Sequence, residues 1–328
     1  MRIPLVSISL LLWNSRRHLL DCIVSAQAQT YPAIELLISD NASTDGSPEY
    51  VKEHFPSIRL VENARNLGYA AGHNRAIALM QGEYVLLLNP DVRLQPDYVA
   101  RLVAAFVAGP QIGMAQGKLL SARLLDGVLW PDGLIDSTGV WVSKTRRNGD
   151  RGIGRPDFGQ YDHEEDVFGA AGAATMYRRA LLEDIRLDSE YFDETFFAYR
   201  EEVDLDWRAR WRGWRCRYVP GAVAYHVRSY APGTRHQQPV VLRRLQYRNR
   251  YLMLIKNDAL SNLLWHLPYL AVTEILALGY VILWEREMLP CYIEVLKYLP
   301  EMLRKRRAIM ATRRVSNGEM RRWFRGPQ

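Results

Sequence analysis

Cysteine is scarce in this chain. Cys22, Cys216 and Cys291 are odd in number and far apart, which excludes a disulfide framework or a cysteine-built metal site and fits a reducing cytosol. Lysine is scarce as well, since 37 of the 43 basic residues are arginine. Internal repeats and low-complexity segments are missing too. What remains is 328 residues, 48% hydrophobic and 24% charged, a composition that excludes a wholly disordered chain and a multi-span membrane protein. The length suits one large domain or two ordinary ones. The net charge of +7 is localised. Residues 301–328 hold nine basic residues against Glu301 and Glu319, which accounts for all of it, while the first 300 residues hold 34 of each sign. The start, MRIPLVSISLLLW, imitates a signal peptide, and Ala26-Gln27-Ala28 imitates a cleavage site. Arg16, Arg17, His18 and Asp21 interrupt the apolar run, so the segment reads as strand then helix.

Leu5–Trp13, Glu35–Ser39, Ile58–Glu62 and Tyr84–Leu88 are short apolar or β-rich runs alternating with helical stretches near residues 19–28, 48–54 and 74–80. That alternation predicts an open α/β sheet with right-handed crossovers, whose ligands bind beyond the carboxyl ends of the strands. Residues 127–166, rich in Gly, Asp and Arg, are expected to form long loops with a hairpin. Helices are expected at Arg178–Asp184 and Glu201–Trp211, a strand at Arg217–Tyr225, and helices again after Arg250.

Four clusters carry chemistry. Asn89-Pro90-Asp91 follows a buried strand and offers hard oxygen ligands to Mg²⁺ or Mn²⁺, though the same tripeptide also makes an ordinary turn. Asp40 ends a strand, where its carboxylate can accept hydrogen bonds from a nucleobase or ribose; Asp45-Gly46-Ser47 is alternatively a turn with Ser47 as helix N-cap. The small-residue loop Asn66–Asn74, just before a helix, permits close backbone approach to a phosphate. Finally, residues 191–205 pack five aromatics and five acids into fifteen positions. A carboxylate against aromatic walls can act as a general base; alternatively Glu201, Glu202 and Asp204 simply favour a helix N-terminus.

The order of Asp40–Ser47, Asn66-Leu67-Gly68, Asn89-Pro90-Asp91, Gly172-Ala173-Ala174, Phe192-Asp193-Glu194 and Glu201–Leu205 resembles the family-2 inverting glycosyltransferases, and most of all their rhamnosyltransferase-like branch, across roughly residues 4–260. The resemblance implies a GT-A fold. A Rossmann-like nucleotide-sugar half (residues 1–120) and an acceptor half (121–258) would precede a helical, basic C-terminal region (259–328). It implies donor binding by Asp40, Asn41, Asp45, Asn66, Gly68, Asn89 and Asp91. Asp91 would be the metal-binding Asp of an Asp-x-Asp motif, with Asn89 replacing the first Asp and His226 completing the Mn²⁺ or Mg²⁺ site; nitrogen ligation tilts the choice toward Mn²⁺. Glu202 would be the catalytic base beside Glu201. The family usually has Glu-Asp here, so the carboxylate is about 1 Å further out. Gly172, Ala173, Phe196 and Tyr199 would face the acceptor. The expected partners are a nucleoside-diphosphate sugar, dTDP-rhamnose first, and a glycan or polyprenyl-diphosphate-linked acceptor. Two rivals are a catalytically weak binding protein on the same fold, suggested by Asn89 and Glu202, and a nucleic-acid binder, suggested by the tail alone. A neutral body without a basic-aromatic groove argues against nucleic acid.

Leu260–Trp284 makes a helix of ~37 Å, long enough to span a bilayer, but Glu274 and His266 interrupt it, so a buried or interfacial helix is expected. Beyond it, Ile293, Leu296, Leu299, Leu303 and Ile309 share one face opposite Lys297, Arg304, Lys305, Arg306 and Arg307. This is the pattern either of a basic amphipathic helix on anionic lipid or of a solvated helix packed on the domain. Lipid attachment would place the enzyme at the cytoplasmic face of a bacterial plasma membrane.

Overall fold

A computed structural model of the chain describes residues 2–125, 128–228 and 234–327. Parallel strands β1 (Val6–Leu12), β2 (Ile34–Asp40) and β3 (Arg59–Glu62) alternate with helices α1 (Leu19–Gln27) and α2 (Ser47–His54). Helix α3 (Gly68–Ala78) leads to β4 (Tyr84–Leu88), a fully buried strand paired with β1. Then follow β5 (Val92–Leu94), α4 (Tyr98–Ala108), β6 (Ile112–Leu125), β7 (Val128–Ser137), β8 (Val140–Val142), β9 (Asn148–Asp150), β10 (Glu165–Val167) and β11 (Ala174–Arg178). Helices α5 (Arg179–Ile185) and α6 (Glu201–Trp211), then β12 (Arg215–His226), complete the sheet-bearing part. The main path runs β10-β12-β6-β11-β4-β1-β2-β3, with β5 on β12 and β7 on β6.

The side-chain pattern explains the layers. β4 reads as a continuous apolar run because helices cover both faces of this parallel section, whereas β1 is interrupted by Ser7 and Ser9, bonded to Glu35 and His73. β11 runs antiparallel to β4 and β6, opening the sheet into its second half. The hairpin expected within 127–166 is present as β8–β9, but residues 128–137 form a long strand rather than loop: pairing with β6 supplies the backbone bonds that weak periodicity did not advertise. Gly127 lies outside the described residues.

Two local expectations change. Helix α3 starts at Gly68, several residues before the expected position, so most of the small-residue loop is helical; Ala70, Gly72 and Ala76 are buried, and a Cβ at Gly72 would lie 2.7 Å from Leu11. Ser47 is not an N-cap. Gly46 occupies that position at φ +81°, and Ser47 starts the helix with its hydroxyl donating to Asp45 Oδ1 at 2.5 Å.

At the C-terminus, α7 (Val240–Asn257), α8 (Leu260–Trp265), α9 (Leu267–Trp284), α10 (Pro290–Thr312) and α11 (Asn317–Arg321) follow in turn. The expected 260–284 helix is broken at His266, whose ring faces Arg146. Nor is it buried. Among the described residues α9 is the one helix long and apolar enough to cross a membrane, and only 6% of it is buried. Its Glu274 turns inward, accepting from Arg250 Nη2 (2.5 Å) and Tyr251 Oη (2.7 Å) on α7.

Helix α10 departs from expectation too. Cys291, Val295, Met302 and Ile309 pack inward, whereas Ile293 and Leu296 are 72% and 67% exposed. The helix has two apolar stripes, and contact with α7 selects the other one, to which Ile309, expected beside Ile293 and Leu296, belongs. Lys305, expected on the solvated basic face, is buried: its Nζ lies 2.7 Å from Asp193 and 2.8 Å from Glu301. Met302, Ile309, Met320 and Phe324 belong to the same buried cluster as β1.

Candidate active site

The site forms where β4 ends. Asn89 N–H donates to Ala173 O at 2.8 Å, so the turn after β4 is stitched to the segment before β11. Asp91 lies one residue before β5, and β5 pairs antiparallel with the end of β12 in a register that places His226 opposite Val92. Val227 N–H donates to Asp91 O at 2.9 Å, closing the same junction. Sheet register thus brings together two residues 135 positions apart: His226 Nε2 is 3.4 Å from Asp91 Oδ1.

The imidazole is held from behind. His226 Nδ1 is 2.8 Å from Asp136 Oδ2, and the Asp136 carboxylate also accepts from Arg228, whose Nη2 reaches Asp150 at 2.5 Å. Burial alone would depress the His226 pKa, but Asp136 and Asp91 outweigh it and push the value up to about 10. Burial likewise acts to raise Asp136 and Asp91, yet the His226 charge holds both below the usual carboxylate range, with Arg228 reinforcing Asp136 and His18 reinforcing Asp91.

These residues fit a divalent cation. Asp91 Oδ1 is buried without a hydrogen-bond partner, and a ring nitrogen faces it. Carboxylate plus imidazole is a donor set suited to Mn²⁺, and a cation at Nε2 would replace the ring proton. Among the described residues no three His, Cys, Asp or Glu side chains gather to hold a metal alone, so a diphosphate and water would have to complete the shell.

Gly172, next to Ala173, also approaches Glu202 at the start of α6. A Cβ at Gly172 would lie 3.8 Å from the Glu202 Cβ and 3.1 Å from the Tyr69 hydroxyl, which itself donates to Gly172 O at 2.7 Å. Glu201 is buried with Oε2 unpartnered, and burial followed by the neighbouring Glu202 charge drives its pKa far up. Glu202 is less enclosed; burial, with Asp150 adding to it, pushes its carboxyl up to about 7.

The remaining predicted residues divide. Asp40 ends β2, buried, with Oδ2 accepting from Ser43 N–H and Oδ1 unpartnered, so one oxygen remains to offer a ligand. Asn41 is spent on structure, accepting from Asn63 Nδ2 (2.8 Å) and donating to Gly68 O (3.0 Å). Asp45 accepts from Arg16 N–H and Ser47, and Asn66 Oδ1 accepts from Gly68 N–H. Gly68, at φ +80°, is required because a Cβ would fall 2.4 Å from Phe197 O. Ala173 is buried but flanks Gly172, and Tyr199 lies half-buried just before α6. Phe196 is fully buried under Lys256 Nζ, 4.9 Å from its ring centre, and offers no open acceptor wall; the exposed aromatic of the segment is Phe197. Asp136, Arg228, Asp150 and Tyr69 carried no recognisable sequence signal for their places, since only tertiary pairing brings them here.

The open sheet, with its carboxylate-bearing turn after β4 and acidic helix beyond the antiparallel β11, defines a GT-A glycosyltransferase. The chain belongs to glycosyl transferase family 2, whose family model matches residues 7–186. The N-acetylglucosaminyl-diphospho-decaprenol L-rhamnosyltransferase of Mycobacterium tuberculosis (strain H37Rv) is 27% identical over 254 residues, covering 70% of this chain and 78% of that protein. Among solved structures, a Staphylococcus aureus TarS fragment (residues 1–349) in complex with UDP-GlcNAc aligns with TM-score 0.57 at 16% identity, covering 94% of this chain and 83% of that one. GalNAc-T7 with UDP, GalNAc and Mn²⁺ aligns with TM-score 0.59 at 15% identity over 78% of this chain, which spans only 48% of its length.

Proposed function

We propose that this glycosyltransferase moves rhamnose from dTDP-rhamnose, with inversion, onto a glycan or polyprenyl-diphosphate-linked acceptor during bacterial surface-polysaccharide synthesis. One observation carries the reading: the Gly172-Ala173 backbone is bonded to the Asp91 turn on one side and faces Glu202 on the other. A donor diphosphate and an attacking hydroxyl would meet across it. The acceptor of the mycobacterial relative, as its name states, is a lipid-linked N-acetylglucosaminyl diphosphate, and that supports the acceptor class here.

Asp40 receives the nucleoside, and Glu202 removes the proton from the acceptor hydroxyl as that oxygen attacks the anomeric carbon. The bond to the diphosphate oxygen breaks on the opposite face, so configuration inverts. Asp91 and His226, with Asn89 beside them, would hold Mn²⁺ or Mg²⁺, which supplies neutralisation of the diphosphate charge when bound. Asp136 fixes the His226 ring and Tyr69 fixes Gly172.

The enzyme works as a peripheral protein on the cytoplasmic face of the plasma membrane. The exposed apolar flanks of α9 and α10 support this, and Glu274 ties the middle of α9 to Arg250 and Tyr251 of α7. Arg304, Lys305 and Arg314 of the tail pair with Asp188, Asp193 and Asp184, which weighs against nucleic acid as its partner. A panel of nucleotide sugars, with and without Mn²⁺ and a synthetic polyprenyl-diphosphate-linked N-acetylglucosamine, tests the reading. Transfer from dTDP-rhamnose is expected; transfer from another donor alone replaces the sugar, and binding without turnover favours a catalytically weak binding protein.

A further inference from the structure

The backbone immediately before α6 is bent into conformations that side-chain-bearing residues avoid. Phe197 (φ 63°), Tyr199 (φ 71°) and Arg200 (φ 71°) all lie in the left-handed region, and none is glycine. Such strain persists only where the surroundings over-determine it, and it marks functional sites.

The surroundings here can be accounted for carbonyl by carbonyl. Thr195 O accepts from Arg248 Nη2 at 2.8 Å. Phe196 O, Ala198 O and Tyr199 O all accept from Asn249 Nδ2, at 2.8, 2.9 and 2.9 Å. Phe197 O accepts from Ala70 N–H of α3 at 3.2 Å, and Arg200 O accepts from Asp204 N–H, the first helical bond of α6, at 2.9 Å. Asn249 is fully buried, and its Oδ1 accepts from Arg248 Nε (3.0 Å) and Nη2 (2.9 Å). The neighbouring arginine therefore fixes which end of the amide donates. One amide group on α7 gathers three carbonyls of a strained loop whose next residues are Glu201 and Glu202.

We infer that Asn249, oriented by Arg248, is a positioning residue for glycosyl transfer: it holds residues 196–199 in the left-handed bend that starts α6 with Glu201 turned inward and Glu202 facing Gly172. The inference rests on the reading of Glu202 as base. It accounts for the burial of Arg248 and Asn249 on α7, one turn from the apolar Leu252 and Met253. It also explains a bend that three non-glycine residues would otherwise not adopt.

Asn249→Asp tests it, because that change keeps the shape of the side chain while replacing its donor with an acceptor facing three carbonyls. In the full-length protein, dTDP affinity with Mn²⁺ should stay within about two-fold of the parent, while kcat for transfer from dTDP-rhamnose to the synthetic lipid-linked N-acetylglucosamine should fall at least about ten-fold. The Glu202 titration, followed by carbon-13 NMR of glutamate-labelled protein and assigned by its loss in Glu202→Gln, should move from its parental midpoint; this readout needs no substrate. Arg248→Lys, a milder change, should give a smaller loss with the same split if Asn249→Asp does not fold. Parental kcat and titration in the folded variants would overturn the inference, and so would a parallel collapse of donor affinity and kcat, which marks a merely structural role. Glu202→Gln measured alongside separates the two readings. If it retains turnover, the base assignment falls; if it is inactive while Asn249→Asp is parental, only the clamp falls.

Discussion

His226 Nδ1 sits 2.8 Å from Asp136 Oδ2, ninety residues earlier in the chain, and the opposite ring nitrogen faces Asp91 at 3.4 Å. A carboxylate behind a ligating imidazole fixes its orientation and raises its basicity, and losing such a partner typically costs about 10–100-fold in metal affinity. Asp136→Asn should therefore weaken Mn²⁺-linked dTDP binding by that order, measured by calorimetry at fixed nucleotide and varied metal. Asp91→Ala should weaken it further. Metal-independent binding in both variants would remove the cation from this site.

Glu202 should govern the pH profile. Its carboxyl is pushed up to about 7, chiefly by burial. A raised carboxyl stays protonated, and useless as a base, below that value, and ionises as pH climbs through it. The kcat for transfer should therefore rise about ten-fold per pH unit on the acid side and level off above about pH 7. Glu202→Gln should cost on the order of 10²–10⁴ in kcat and abolish that limb. A surviving limb would move the base to Glu201.

Gly68→Ala should destabilise the fold without touching the acidic helix directly. The new Cβ would meet Phe197 O at 2.4 Å and sit on a backbone at φ +80°. A loss of about 1–3 kcal/mol is expected in urea unfolding. An unchanged midpoint would mean that the 197 loop can withdraw freely.

Ile275 and Ile293 are 70% and 72% exposed. Replacing both by Glu should leave the melting temperature within a degree or two, because neither packs in the core, while lowering binding to phosphatidylglycerol vesicles by about ten-fold or more. Flotation of the intact protein measures this. Equal binding by parent and variant would mean that this face is not the membrane contact.

The strands that build the nucleotide half were legible because their burial is dictated locally: Tyr84–Leu88 is apolar throughout and occupies the middle of a covered sheet. Helix α6 was equally plain, with three acids in its first turn and arginines in its last. Legibility failed where partners are remote. Residues 128–137 become a strand only because β6 lies beside them, and Asp136 matters only because β12 ends nearby. Phe196 and Phe197 are adjacent aromatics with opposite fates, one in the core and one at the surface, and nothing in their order distinguishes them. On α10 two apolar stripes competed, and packing on α7 chose Val295 and Met302 over Ile293 and Leu296.

Asp193, at the start of the acceptor-side loop, is gripped by two buried ammonium groups, Lys256 Nζ at 2.6 Å and Lys305 Nζ at 2.7 Å, and Lys256 passes on to Asp204 inside α6. The far end of the chain is therefore a keystone for the segment that leads into α6. Cutting it away to make a more soluble enzyme would strip one counter-cation from a buried carboxylate, an imbalance that commonly costs about 3–5 kcal/mol. It would also loosen the segment that leads into α6. A shortened protein that lost both lipid binding and turnover would thus say little about membranes, whereas surface substitutions leave the keystone in place.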